Sequence, residues 1–128
     1  MKLDTEFILY VKNQSRSCEF YKELFQEAPV LDVPGMTEFK LSENTKLGLM
    51  PETGIIKIIG HATADPAKAN GIPRCELYLK GEEDSVKGMF KRMEARGTLI
   101  ISEFETRDWQ DIVAYLADPD GHIIALAY

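Results

Sequence analysis

Glu6-Phe7-Ile8-Leu9 returns 70 positions later as Glu76-Leu77-Tyr78-Leu79, and the same shift lays Ser15 on Ser85 and Phe20 on Phe90 without a gap. Identities are few; what repeats is a pattern. In the first copy Phe7, Leu9 and Val11 alternate with Glu6, Ile8 and Tyr10, the period of two expected of a strand. Asn13 and Ser15 then stand where a helix cap belongs, ahead of an apolar stripe of Cys18, Tyr21, Leu24 and Phe25. In the second copy Leu77 and Leu79 alternate with Glu76, Tyr78 and Lys80, Asp84 and Ser85 are the capping candidates, and Val86, Met89, Phe90 and Met93 recur at helical spacing. Gly97 is placed to end that second helix in the left-handed conformation.

Short strands and turns follow each helix. The first copy offers a weak strand near Val30–Val33, then Thr37–Leu41, a polar turn at Ser42–Thr45 and a strand at Lys46–Met50. The second offers Leu99–Glu103, Ile112–Leu116, the turn Asp118-Pro119-Asp120-Gly121, and Ile123–Tyr128. Each half reads βαβββ, an α+β fold. The stretch 51–74, punctuated by Gly54, Gly60, Pro66, Gly71 and Pro73, reads as a linker, with Ile55, Ile56, Ile58 and Ile59 suggesting a short helix or lid. The expected organisation is one domain, 1–128, of two modules at about 1–50 and 75–128. A four-stranded sheet with one helix leaves its other face bare. Two such sheets paired with helices outside make an open cup, whose concave face must be filled or used.

Composition narrows the function. Fifteen Lys and Arg against 21 Asp and Glu give a formal charge of −6, at 45% hydrophobic and 28% charged residues. This is a globular composition, and its acidic balance argues against nucleic acid, whose affinity rests on clustered Lys and Arg. No apolar run approaches the roughly 20 residues that span a bilayer, and the N-terminus shows no signal-peptide pattern, so a cytoplasmic protein without a membrane partner is expected. Cys18 and Cys75 stand alone, far from His61 and His122, so neither a zinc motif nor a Cys–His nucleophile is spaced correctly. Both thiols are expected to be reduced and packed.

Three separated segments resemble one known group. Asp108-Trp-Gln-Asp-Ile-Val-Ala-Tyr-Leu-Ala-Asp-Pro-Asp-Gly-His-Ile-Ile-Ala-Leu126 is similar to the ending W-G-x-x-x-x-Y-F-x-D-P-D-G-N-x-x-E-L of the glyoxalase/bleomycin resistance/extradiol dioxygenase (vicinal oxygen chelate) superfamily. Leu9, Val11, Asn13, Ser17, Phe20 and Tyr21 match its opening L-x-V-x-D-x-x-x-S-x-x-F-Y, and Glu76–Leu79 resembles the strand that opens its second module. The resemblance implies paired βαβββ modules and a homodimer. It does not imply one chemistry, because function lives in the site.

In metal-dependent members, four inward positions bring His, Gln or Glu to one divalent ion. By resemblance they fall on Glu6, Gly48, Glu76 and Ala125, of which Gly48 and Ala125 offer no donor. Two carboxylates are half of a site. Strand alternation puts Glu6, Ile8, Tyr10, Gly48, Met50, Glu76, Tyr78, Lys80, Ile123, Ala125 and Ala127 on the concave face. Phe7, Leu9, Leu77, Leu79, Ile124 and Leu126 are then expected to pack beneath the helices. Trp109 reads either as a rim aromatic or as the anchor of a loop, and Tyr115 as a wall residue. Met36 and Phe39 read as core or interface rather than ligand contacts.

Two functions remain beside that of a degenerate member whose paired sheets serve mainly dimerisation. One is a metal-free protein that binds a small organic ligand through Ile8, Tyr10, Gly48, Met50, Tyr78, Lys80, Trp109, Tyr115, Ile123 and Ala125, needs no cofactor, and suits a cationic or amphiphilic guest. The other is a lyase, isomerase or dioxygenase using a divalent metal or the pair Glu6 and Glu76. Facing each other across the cavity, those carboxyls would act as acid and base. Inert, hydrogen-bonded glutamates are the bland alternative, with Arg74, Lys80 or Arg107 as partners.

Overall fold

The computed structural model describes residues 1–128, arranged as two four-stranded mixed sheets with three α-helices, the α+β class read from the repeat. The chain divides into two compact units, Met1–Lys22 with Gln26–Asn70, and Glu23–Phe25 with Gly71–Tyr128.

The first unit holds β1 (Thr5–Val11), α1 (Gln14–Phe25, whose last turn belongs to the other unit), β2 (Leu31–Val33), β3 (Met36–Ser42), β4 (Thr45–Pro51) and α2 (Glu52–Ile59). Its sheet runs β1-β4-β3-β2, with β1 parallel to β4 and the other pairs antiparallel. Asn13 caps α1 by accepting from the Arg16 backbone N–H at 3.0 Å, as expected of a short polar side chain before the first turn. Tyr21, Leu24, Phe39, Leu47 and Leu49 are fully buried and form the core.

The second unit repeats the order with β5 (Glu76–Lys80), α3 (Glu83–Ala95), β6 (Ile100–Thr106), β7 (Ile112–Ala117) and β8 (Ile123–Ala127), in the sheet order β5-β8-β7-β6. Gly97, at φ +88°, ends α3 as expected: its N–H donates to the Glu94 carbonyl at 3.0 Å and the Thr98 N–H to the Met93 carbonyl at 3.0 Å. Gly121, at φ +89°, closes the β7–β8 hairpin. There the buried Asp118 carboxylate accepts from the N–H groups of Asp120 and His122, both at 2.9 Å. Strands β7 and β8 carry the core through Val113, Leu116, Ile124 and Leu126.

Three expectations are corrected, and that of a short helix within 51–74 is met. Asp84 and Ser85 do not cap α3; the cap is Glu82, and both lie inside the first turn, where Asp84 adds favourable negative charge. Of the 51–74 stretch, the short helix suggested by Ile55, Ile56, Ile58 and Ile59 is present as α2, where burying Ile55 offsets the helix cost of Gly54, and a 3-10 turn follows over Pro66–Ala69. Phe7 is 58% exposed rather than packed, since β1 is an edge strand of its sheet. Cys18 is packed, whereas Cys75 is exposed just before β5.

Candidate functional site

In the first sheet, β1, β4 and β3 align Ile8, Gly48 and Glu38 in one row, with Glu6 beside Lys46 one pleat away. Gly48 has no side chain, and the Glu6 side chain occupies the vacancy. A Cβ at position 48 would stand 2.5 Å from Glu6 Oε1, 3.0 Å from Ile8 Cγ1 and 3.3 Å from Met36 Sδ. Laid across that glycine, the Glu6 carboxyl meets Glu38 on β3, while Lys46 Nζ donates to Glu38 Oε1 at 3.0 Å. Burial, the hydrogen bond with Glu38 and the Glu38 charge push the Glu6 carboxyl above its ordinary value, against the pull of Lys46. The Lys46 hydrogen bond holds Glu38 below its ordinary value. Glu6 Oε1 itself is buried without a hydrogen-bond partner.

The second sheet presents a chain of polar contacts joining two aromatics. Trp109 Nε1 donates to the Tyr78 hydroxyl at 2.9 Å, and that hydroxyl donates to Asp111 Oδ2 at 2.6 Å. Lys80 Nζ donates to Asp111 Oδ1 at 2.8 Å. The Lys80 and Tyr78 hydrogen bonds hold the Asp111 carboxyl below its ordinary value; burial and Asp111 push the Tyr78 phenol up. Trp109 is 54% exposed and hydrogen-bonded by its ring nitrogen, the disposition of a surface aromatic fixed in direction. Arg107 stacks over Tyr115 at 5.1 Å and donates to Ser102 Oγ at 2.7 Å and the Val113 carbonyl at 2.8 Å. Tyr115 covers Val113, Ala125 and Ala127, all wholly buried.

Of the sequence candidates, Glu6, Ile8 and Gly48 come together in the first unit, with Tyr10 in register with Met50 further along β1 and β4. Tyr78, Lys80 and Trp109 come together in the second through Asp111. Ala125 lies beneath Tyr115 with no exposed surface, Ile123 is half-buried at the start of β8, and Glu76 is exposed at the start of β5. The partner sequence reasoning sought for Glu6 in Glu76 is supplied by Glu38 within the first sheet. Lys80, one of the proposed partners for the glutamates, is taken by Asp111.

Sequence reasoning missed Glu38, Lys46 and Asp111. Alternation in β3 sets Thr37 and Phe39 inward, so Glu38 belongs to the opposite face, and Lys46 shares a face with Gly48. That signal was readable; which neighbours they meet follows only from strand register. A separate pocket of about 450 Å³ opens at the start of α1, beside Cys18 and Asp32. Gln14 braces it, donating to the Val33 carbonyl and Thr37 Oγ1, both at 2.8 Å. Burial and then Asp32 push the Cys18 thiol up, which disfavours the thiolate form.

The residues at the four family metal positions do not fit a divalent ion. Gly48 and Ala125 carry no donor atom, Glu6 is turned across Gly48 towards Glu38, and no three His, Cys, Asp or Glu side chains converge anywhere in the chain.

A glyoxalase-like domain model matches residues 5–127. A glyoxalase-related enzyme from Fulvimarina pelagi superposes with a TM-score of 0.81 at 22% identity, over 99% of this chain and 88% of that one. A glyoxalase/bleomycin resistance protein/dioxygenase from Nocardioides gives 0.75 at 18%, over 98% and 82%. A lactoylglutathione lyase from Agrobacterium tumefaciens gives 0.66 at 21%, over 96% and 90%. At these identities the likeness shows the fold. No curated protein matches the chain in sequence. The repeated βαβββ order, the two mixed sheets and a family match across nearly all of its length agree: the chain belongs to the glyoxalase-like domain family.

Proposed function

We propose that this protein binds a small organic molecule without a metal ion, through the groups that its sheet faces present. The observation that carries this reading is the pair Trp109 and Tyr78, exposed aromatics whose directions are fixed by hydrogen bonds ending on Asp111 and Lys80. Aromatic surface of fixed direction beside a few polar groups is what small-molecule sites are built from. The charge pattern shifts the expected guest away from a cation. Lys46 compensates Glu38 and Lys80 compensates Asp111, so the acidic excess of the chain is not concentrated at these groups. A neutral guest with polar atoms suits them better. One observation favours a second reading, an acid–base enzyme of lyase or isomerase type: Glu6 has a carboxyl partner, Glu38, that separates their proton affinities. A homodimer in the cytoplasm completes the proposal. No helix is long and apolar enough to cross a membrane.

Trp109 is the single tryptophan, so its fluorescence reports on the second face alone. Small aromatic amides, acids and amines titrated into chelator-treated protein are expected to include a compound that changes it saturably. In Tyr78→Ala, with melting unchanged, that compound should bind about tenfold more weakly, the loss of one aromatic contact. No saturable change from any of the three classes, or undiminished binding in Tyr78→Ala, would overturn the reading.

A further inference from the structure

We propose that Glu6 and Glu38 hold a single proton between them across Gly48, with Glu6 the member that carries it, so that Glu6 is a proton donor on this sheet face. The inference takes the position of Glu6 as a candidate site residue from the acid–base reading; the proton pair itself stands without a ligand.

The geometry carries it. Strands β1 and β3 are not neighbours, since β4 lies between them. Side chains on alternate strands meet only where the intervening strand leaves room, and Gly48 is the residue in register with both Ile8 and Glu38. The Glu6 side chain uses that room, and Oε1 comes to rest 2.5 Å from where a Cβ would stand, too close for both. There it has neither solvent nor a donor. An ionised carboxylate oxygen is poorly tolerated in such a place, whereas the carbonyl oxygen of a neutral acid loses far less. Two carboxylates in contact cannot both stay charged at no cost, and one proton shared between them relieves the repulsion.

The neighbours decide which member keeps the proton. Lys46, from β4, donates to Glu38 and not to Glu6, so the negative charge settles on Glu38. Glu38 first, and Asp4 least, favour the charged form of Lys46. No charge from α2, which packs on β1 and β4, acts on Glu6; the charges that act on it are Glu38 and Lys46. Because Lys46 already compensates Glu38, the proton on Glu6 can turn to a guest without stranding a charge. The guest atom that answers it is an acceptor, a carbonyl oxygen or an unprotonated nitrogen.

The test is a carbon-13 carboxyl titration of the full chain, assigned with Glu6→Gln and Glu38→Gln. Glu6 is expected to titrate above the ordinary glutamate value and Glu38 below it. In Glu38→Gln the Glu6 midpoint should fall by about one pH unit. Gly48→Ala, which evicts the Glu6 carboxyl, should lower it similarly. An ordinary Glu6 midpoint in the wild-type chain, or one that ignores Glu38→Gln, would overturn the pair. The wild-type measurement needs no variant to fold and no guest to bind. Failure of the Trp109 titration with a raised Glu6 midpoint would therefore sink the binding reading and leave the pair standing.

Discussion

Gly121→Ala should lower the stability of the chain by about 3 kcal/mol, whereas Gly97→Ala should cost only about 1 kcal/mol. The two glycines have almost the same backbone, φ +89° and +88°. An L residue pays conformational strain of about 1–2 kcal/mol at either. Their surroundings differ. A Cβ at Gly97 meets nothing within 4 Å. At Gly121 it would stand 2.7 Å from the Gly71 carbonyl oxygen and 3.0 Å from the Gly71 Cα, both backbone atoms that no side-chain rotation can move. Gly71 is itself at φ +83°, and its own Cβ position lies 3.7 Å from the Asp120 carbonyl oxygen. The hairpin turn and residue 71 are thus packed backbone to backbone. For a domain of this size the difference is a melting temperature lower by roughly 10 °C for Gly121→Ala and by a few degrees for Gly97→Ala. Calorimetry on the two variants checks it, and equal shifts would show that the close approach to Gly71 carries no energy.

Phe39→Ala should cost about 3–5 kcal/mol, a third or more of the stability of an ordinary domain. Phe39 is 1% exposed, pairs across strands with Leu47, and its ring lies 6.4 Å from that of the buried Tyr21. Truncation removes a whole ring from a close-packed core and leaves a cavity that strand backbones cannot collapse into. Phe7→Ala is the matched control. Its ring is more than half exposed on the edge strand, and its loss should cost under about 1 kcal/mol. Urea denaturation of both variants separates them by midpoint. Similar costs would mean that Phe7 is covered as its strand parity alone suggests.

The contrast between the two phenylalanines shows what could be read from sequence. Alternation assigned a face to each residue of β1, and the face was sensible; what it does not carry is whether anything lies on the far side. Leu9 is half-buried and Phe7 is exposed, though they share a parity, because Phe7 sits nearer the open end of an edge strand. The succession of elements, both long helices, the left-handed Gly97, the turn at Gly121 and the resemblance to the family were legible, since each is written within a few neighbouring residues. Glu38 was not. Its role depends on three strands falling into register around a vacant position, and nothing local to 36–42 encodes that vacancy. Asp111 belongs to a loop after Trp109, and only the folded sheet brings it to Tyr78 and Lys80. Gly48, read from resemblance as a missing ligand, proved to be the seat of the Glu6 carboxyl.

The four positions that the resemblance assigns to a metal in metal-dependent members therefore hold no ligand set here. Two of four positions have no donor and a third has turned to another carboxyl. Metal content of the chain, purified without chelator and measured by elemental mass spectrometry, tests this most directly. The expected result is far less than one divalent ion per chain, the same in the wild type as in Glu6→Gln and Glu76→Gln. One tightly held ion per chain, lost in either variant, would contradict it.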